Sequence, residues 1–153
     1  MAEQQTEVLR TLLERIADAL DLDATVTITD DGETILCVVE GEDVGLFIGH
    51  HGQTIEAVQH LAQRVAGDAA PDERRRVVVD AAGYRARREG VLQRQADQAA
   101  DSAVQSGRPV ALDAMTSSER RIVHEYLRDR GDVETHSEGN EPDRHLVVTP
   151  ASS

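Results

Sequence analysis

Two small sets of residues in this 153-residue chain have types and spacing suited to binding an anion. The first is Gly49-His50-His51-Gly52, entered through Val44-Gly45-Leu46-Phe47-Ile48 and left through Gln53-Thr54-Ile55. Glycine has no Cβ to hold a phosphate away, so Gly49 and Gly52 predict a close backbone approach. The helix that begins just after them points free N–H groups the same way and favours negative charge. His50 and His51 fill the variable positions. Histidine gains its charge in mildly acidic solution, so binding here is expected to strengthen as pH falls. Ile48 and Ile55 are the apolar groups expected to meet bases, and Gln53 completes the predicted contact set. The second set is Arg120 and His124, one helical turn apart, widened by Arg121 and Arg128. Side chains at this spacing project together and can bridge adjacent phosphates. Such contacts position a strand without reading its sequence.

Other chemistries fit less well. The loop lacks the Lys-Ser/Thr of a nucleotide-binding P-loop, and its helix-to-helix setting departs from a dinucleotide fingerprint. Neither His50, His51 and His60 nor His124, His136 and His145 has a recognised metal-ligand spacing. Cys37 sits in an apolar run, with no second cysteine for a disulfide or zinc knuckle. No serine lies in a nucleophile elbow, and no pair of carboxylates stands out from the surface acids. The expectation is a non-catalytic chain without metal or cofactor.

The elements around these sets follow from periodicity. Val8, Leu9, Leu12, Leu13, Ile16, Ala17 and Leu20 recur at three- and four-residue spacing and predict a helix over 3–20. Ala24–Thr29 alternates as a half-buried strand, Asp30-Asp31-Gly32-Glu33 turns, and Thr34–Val39 is apolar enough for a central strand. Val44–Ile48 is a short helix before the loop. Thr54–Ala66 is the helix after it, and Val77–Asp80 is a buried strand. Tyr84–Ser106 is a long helix ended by Gly107 and Pro109. Val110–Leu112 is a short strand. Thr116-Ser117-Ser118-Glu119 forms a capping box, so a helix runs from about Ser117 to Arg128. Its apolar face is expected to hold Ile122, Val123, Tyr126 and Leu127, with Arg120, Arg121, His124 and Arg128 opposite. Val133–His136 and His145–Thr149 close the chain as strands. The fold class is α+β, in two parts: 1–80 around the glycine loop, and 81–150 around the Arg/His helix.

Charge confines where a nucleic acid could bind. The chain carries 16 basic residues against 29 acidic ones, a formal charge of -13. That keeps copies apart and argues against general polyanion binding. Residues 1–70 hold 3 Arg and 14 acids, whereas 71–153 hold 13 Arg and 15 acids. A binding surface must therefore be local. Aromatics make up 2% of the chain, too few for a stacking platform of the usual kind. No 18-residue apolar run offers a membrane span, and the N-terminus lacks the pattern of a signal peptide. An intracellular protein is expected.

The loop residues Gly45-Leu46-Phe47-Ile48-Gly49-His50-His51-Gly52-Gln53-Thr54-Ile55-Glu56-Ala57-Val58-Gln59 resemble the KH core of the Jag (SpoIIIJ-associated) family. Val77 to Arg85 resembles the junction after it. Arg120-Arg121-Ile122-Val123-His124 resembles the Arg-x-x-x-His signature of the R-3-H domain, and Thr135–Pro142 resembles that domain's hairpin. The resemblance runs from about residue 5 to Pro150. It implies a type II-like KH domain joined to an R-3-H domain with a small sheet and packed helices. It also implies a bacterial, cytoplasmic RNA-binding protein linked to cell-envelope growth, partnered in some relatives by a small stand-alone KH protein. Many relatives place lysine and arginine between the loop glycines, where this chain has His50 and His51.

The sequence thus predicts a module for single-stranded RNA, with single-stranded DNA as a competing ligand. Ile48, Gly49, His50, His51, Gly52 and Gln53 form one contact surface, and Arg120, Arg121, His124 and Arg128 the other. The alternative is a protein-interaction scaffold whose KH site has degenerated, motivated by the acidic first half and the His-His loop.

Overall fold

The apolar stripe at the start of the chain becomes helix α1, Ala2–Ala19, in a computed structural model that describes residues 2–152. Leu9, Leu13 and Ala17 lie on its buried face, and Gln5 joins them. Strands β1 (Ala24–Asp30) and β2 (Thr34–Gly41) form an antiparallel hairpin. Its turn is held by side chains: Asp30 Oδ1 accepts from Gly32 N, and Asp31 Oδ1 accepts from Glu33 N and Thr34 N, all within 2.9 Å. Those last two donors hold the Asp31 carboxyl below the ordinary aspartate range, Thr34 N contributing most. Helix α2 (Gly45–Ile48) and a 3-10 turn (His50–Gly52) lead into α3, Gln53–Ala69. Strand β3 (Arg76–Ala81) then returns parallel to β2, giving the order β1-β2-β3 with β2 central.

Helices α1 and α3 cover one face of this sheet. Leu9, Leu13, Ile35, Cys37, Val39, Phe47, Ile55, Ala62 and Val79 are all fully or almost fully buried in that core. Fully burying a leucine contributes roughly 1.5–3 kcal/mol, so the two leucines of α1 are major anchors. Polar side chains fix the register of α3. Gln59 accepts from Val79 N (2.7 Å) and donates to Val77 O; Gln63 accepts from Val77 N (2.9 Å) and donates to Arg75 O. These glutamines, one turn apart, occupy the free edge of β3. At the other edge Arg10 donates to Val26 O at 2.9 Å. Gln5 ties α1 to the end of α3 by donating to Ala66 O and Glu73 O.

The chain divides into two compact units, Met1–Arg85 and Ala86–Ser153. The second unit holds most of helix α4 (Tyr84–Ser106), the short strand β4 (Val110–Ala111) and helix α5 (Ser117–Arg128). Strands β5 (Val133–Glu138) and β6 (His145–Pro150) complete it. Its sheet has the order β4-β6-β5, all antiparallel. Leu92, Ala96, Ala99, Ala100 and Ala103 of α4 join Val123 and Leu127 of α5 and Val133, Leu146 and Val148 of the sheet in one apolar cluster. Alanines let α4 lie close to its neighbours.

One face assignment is corrected. The buried residues of α5 are Glu119, Arg120, Val123 and Leu127, whereas Tyr126 is 40% exposed. At 100° per residue the buried face is rotated by about 45° from the expected one, towards Arg120. The cause is polar: Arg120 finds carbonyl partners inside, and the Tyr126 hydroxyl donates outward to Asp97 Oδ2 at 2.8 Å.

Candidate nucleic-acid interface

The glycine loop is built by backbone geometry few residues tolerate. Gly49 has φ 77 and Gly52 has φ 75, both left-handed, and His51 between them is also left-handed at φ 55. Gly52 N donates to Gly49 O at 3.3 Å, and Gln53 N to His50 O, so the loop closes on itself before α3 begins. The sequence reading gave the glycines to an approaching phosphate, and the packing gives each a second reason. A Cβ on Gly49 would lie 2.7 Å from Thr54 Cβ, and one on Gly52 2.9 Å from Tyr84 Cζ. The space beside each glycine is filled by the protein's own side chains. The glycines also let Thr54 and Tyr84 pack against the loop.

What the loop presents outward is its pair of imidazoles. His50 and His51 are both exposed, with rings stacked 3.9 Å apart and 19° from parallel. Gln53 is exposed beside them, and Ile48 is half-buried. Ile55 is fully buried in the core, so it cannot receive a base as expected. The apolar side chain that does reach solvent near the loop is Leu46 of α2, 61% exposed. Helix α3, seventeen residues long, has no side-chain cap at its N-terminus. Its dipole therefore adds a partial positive charge behind the two histidines.

Arg85 braces this unit from the start of α4. It donates to Val79 O (2.6 Å), Gln59 Oε1 (3.3 Å) and Glu56 Oε1 (3.1 Å). Sequence reading placed it only at the end of the junction after the KH core. Its spacing from Glu56 in the chain offered no signal of the contact.

In the second unit the N-terminus of α5 is fixed from both sides. Thr116 and Glu119 make the expected capping box, each accepting from the other's backbone N–H at 3.2 Å. The second carboxylate oxygen of Glu119 accepts from Arg88 Nε at 2.7 Å. Arg120 is 8% exposed and does not lie open on the surface with His124. Its Nη1 donates to Met115 O at 2.6 Å and reaches Arg144 O at 3.5 Å, and its Nη2 donates to Glu141 Oε1 at 2.8 Å. Arg120 therefore stitches α5 to the chain before it and to the β5–β6 loop. In that loop the Glu141–Pro142 peptide is cis.

The exposed part of the Arg/His surface is His124, Arg121 and Arg128. His124 Nδ1 lies 2.5 Å from Thr135 Oγ1, leaving Nε2 for a ligand. Arg121 pairs with Glu125 at 3.0 Å, but both ends are largely solvated, so the pair is worth little and opens readily. Arg128 has no side-chain partner among the described residues. A pocket of about 350 Å³ opens here, lined by His124, Leu127, Arg128, Val133, Glu134 and Thr135. Among the described residues no three His, Cys, Asp or Glu side chains gather as a metal centre, and no helix is long and apolar enough to cross a membrane.

Comparison with known proteins agrees with this division. The profile of the KhpA/KhpB KH domain matches residues 6–80, and that of the R-3-H domain matches 91–150. The RNA-binding protein KhpB of Bacillus subtilis (strain 168) is 34% identical over 139 residues, covering 90% of this chain and 66% of that protein. KhpB of Clostridium symbiosum is 33% identical over 139 residues, covering 90% of this chain and 62% of that protein. KhpB of Lactiplantibacillus plantarum is 42% identical over 104 residues, covering 68% of this chain and 32% of that protein. The chain thus spans two thirds or less of the length of these relatives. By its two domain matches, their order and these relatives, the chain belongs to the KhpB family, also called Jag, with a KH domain followed by an R-3-H domain.

Proposed function

We propose that this chain binds single-stranded RNA without catalysis, through the loop in its KH domain (1–80) and the α5 surface of its R-3-H domain (81–150). The observation that carries the reading is the loop itself. A left-handed turn puts two exposed imidazoles in front of the uncapped N-terminus of α3. That arrangement suits a phosphate backbone, and the relatives' printed name, RNA-binding protein KhpB, supports RNA as the strand. KH domains clamp about four nucleotides with such a loop. His50, His51, Gly49, Gly52, Gln53 and Ile48 form the first contact surface, with Leu46 as the apolar platform.

On the R-3-H side, His124, Arg121 and Arg128 hold backbone phosphates, and Arg120 acts from beneath as a positioning residue. Few aromatics leave aliphatic packing and hydrogen bonding to hold the bases, so sequence preference should be weak. The decisive experiment is binding to a pool of short single-stranded RNAs, with single-stranded DNA as competitor, beside a His50→Asp/His51→Asp variant. Loss of binding in the variant supports the loop as an RNA site. No binding by the unaltered chain at low salt and about pH 6 would turn the reading to a protein scaffold.

The same reading extends to a cytoplasmic regulator of RNA in bacteria, linked to cell-envelope growth and partnered by a small stand-alone KH protein. Co-purification of the two proteins after ribonuclease treatment tests that partnership. Failure to co-purify removes it without touching RNA binding.

A further inference from the structure

At the end of α3 away from the glycine loop, the first unit holds a pocket of about 320 Å³. Gln5, Gly67, Ala70, Pro71, Glu73 and Arg74 form most of its wall, and Gly67, Ala70 and Pro71 make one part of it apolar. Gln5 is 1% exposed. Its Nε2 donates to Ala66 O at 3.1 Å and to Glu73 O at 3.2 Å. These two carbonyls fix which way the amide points, because a flipped amide would set oxygen against oxygen. The buried Oε1 then accepts from no donor among the described residues. A buried amide oxygen without a partner is costly and calls for one. The last carbonyls of α3 also run out of amide donors here, and the helix dipole adds negative charge. Arg75 is held by Asp30 and Glu73. Arg74 is exposed, and its guanidinium has no partner among the described residues.

We propose that this pocket binds a nucleotide whose base carries an amino group. The amino group donates to Gln5 Oε1, the ring lies along Ala70 and Pro71, and the phosphate meets Arg74. Each uncommitted group of the wall finds its complement on one ligand. Acceptors prevail around Gln5, so an amino group with two protons suits that end and a base carbonyl does not. Cytosine and uracil differ in this way, amino against oxo, at nearly equal size. A free amino acid also joins an amine to an anion, but pockets of about 300 Å³ and more suit larger ligands. The nucleotide is either free or part of a strand, and the contacts are the same in both cases. None of them uses His50, His51 or α5, so the site stands apart from the two RNA surfaces.

The test is titration of the nitrogen-labelled whole chain with nucleoside monophosphates, followed by NMR at the side-chain amide of Gln5. AMP and CMP should shift these signals, and UMP should bind about tenfold more weakly than CMP, as the loss of one hydrogen bond implies. Cytidine without its phosphate should bind severalfold more weakly than CMP, a difference that Arg74→Ser removes. Gly67→Leu fills the pocket and leaves Gln5 in place. A Cβ at Gly67 meets nothing within 4 Å, and leucine is the better helix former. This variant should keep the circular dichroism of the parent and lose the response to CMP. Short oligocytidylate then separates the two sources in a His50→Asp/His51→Asp background. If Gly67→Leu weakens its binding, the site takes a nucleotide of a strand; if only CMP is lost, it takes a free one. Equal affinity for UMP and CMP overturns the proposal. So does CMP binding kept in Gly67→Leu, or no response to any nucleotide at millimolar concentration.

Discussion

Arg120 and Glu141 are joined by an ion pair of 2.8 Å in which the arginine side chain is 10% exposed and the glutamate 61%. The cation of the R-3-H signature is thus turned inward, with a carboxylate over its outer edge. Any phosphate approaching Arg120 meets Glu141 first. Glu141→Gln keeps an oxygen for Arg120 Nη2 and removes the charge. Affinity for single-stranded RNA should rise severalfold at low salt, measured by fluorescence anisotropy. Unchanged or weaker binding would mean that no phosphate comes near this pair.

Arg120→Ala should act mainly on stability. It leaves the inward carbonyl of Met115 without its donor, and unpaired buried groups cost about 1–3 kcal/mol each. Denaturant unfolding should show a loss of about 2–4 kcal/mol, whereas Arg121→Ser or Arg128→Ser should stay within about 0.5 kcal/mol. An Arg120→Ala variant as stable as the unaltered chain would contradict a positioning role.

The glycine loop makes a similar demand. Gly52→Ala meets both a left-handed φ and the ring of Tyr84, so it should destabilise the first unit by more than the roughly 1 kcal/mol of strain alone. Combining it with Tyr84→Ala should recover part of the loss, because the clash is removed and the strain stays. A double variant no better than the sum of the two single ones would show that Tyr84 does not set the requirement.

Burial pushes the Cys37 thiol up to about 11, against a small opposing effect of Arg10. The unfolded thiol ionises near its ordinary value of 9.0. The stability linked to this group is therefore full below about pH 9 and lost as pH rises through 11, about 2–3 kcal/mol in all. A Cys37→Ala variant should lack that part of the alkaline slope in urea unfolding. Parallel pH profiles for the two proteins would exclude the linkage.

Much of this architecture was legible in the residues. Three- and four-residue spacing marked α1, α3 and α4, alternation marked β1, and the Thr116–Glu119 capping box placed the start of α5. Local rules suffice where the stabilising partners are near in sequence. They fail where partners are distant. Arg120 and Glu141 are 21 residues apart, and Gly52 and Tyr84 meet only in the fold. The same reason hid the burial of Ile55. It falls on the apolar side of α3 with Val58 and Ala62, but only packing shows that none of it is left for a ligand. One clue was available for Arg120: it shares a helix face with Val123 and Leu127 at spacings of three and seven.

Contact of RNA phosphates with both the loop and α5 is tested most directly by the salt dependence of single-stranded RNA affinity at about pH 6. Each phosphate contact contributes about -0.7 to the slope of log affinity against log salt. The unaltered chain should show a steep slope, and Arg121→Ser/Arg128→Ser should reduce its magnitude by about 1.4. His50→Asp/His51→Asp should lose most of the affinity. Absent binding at low salt, or variants that keep both the affinity and the slope of the parent, would contradict phosphate contact at these two surfaces.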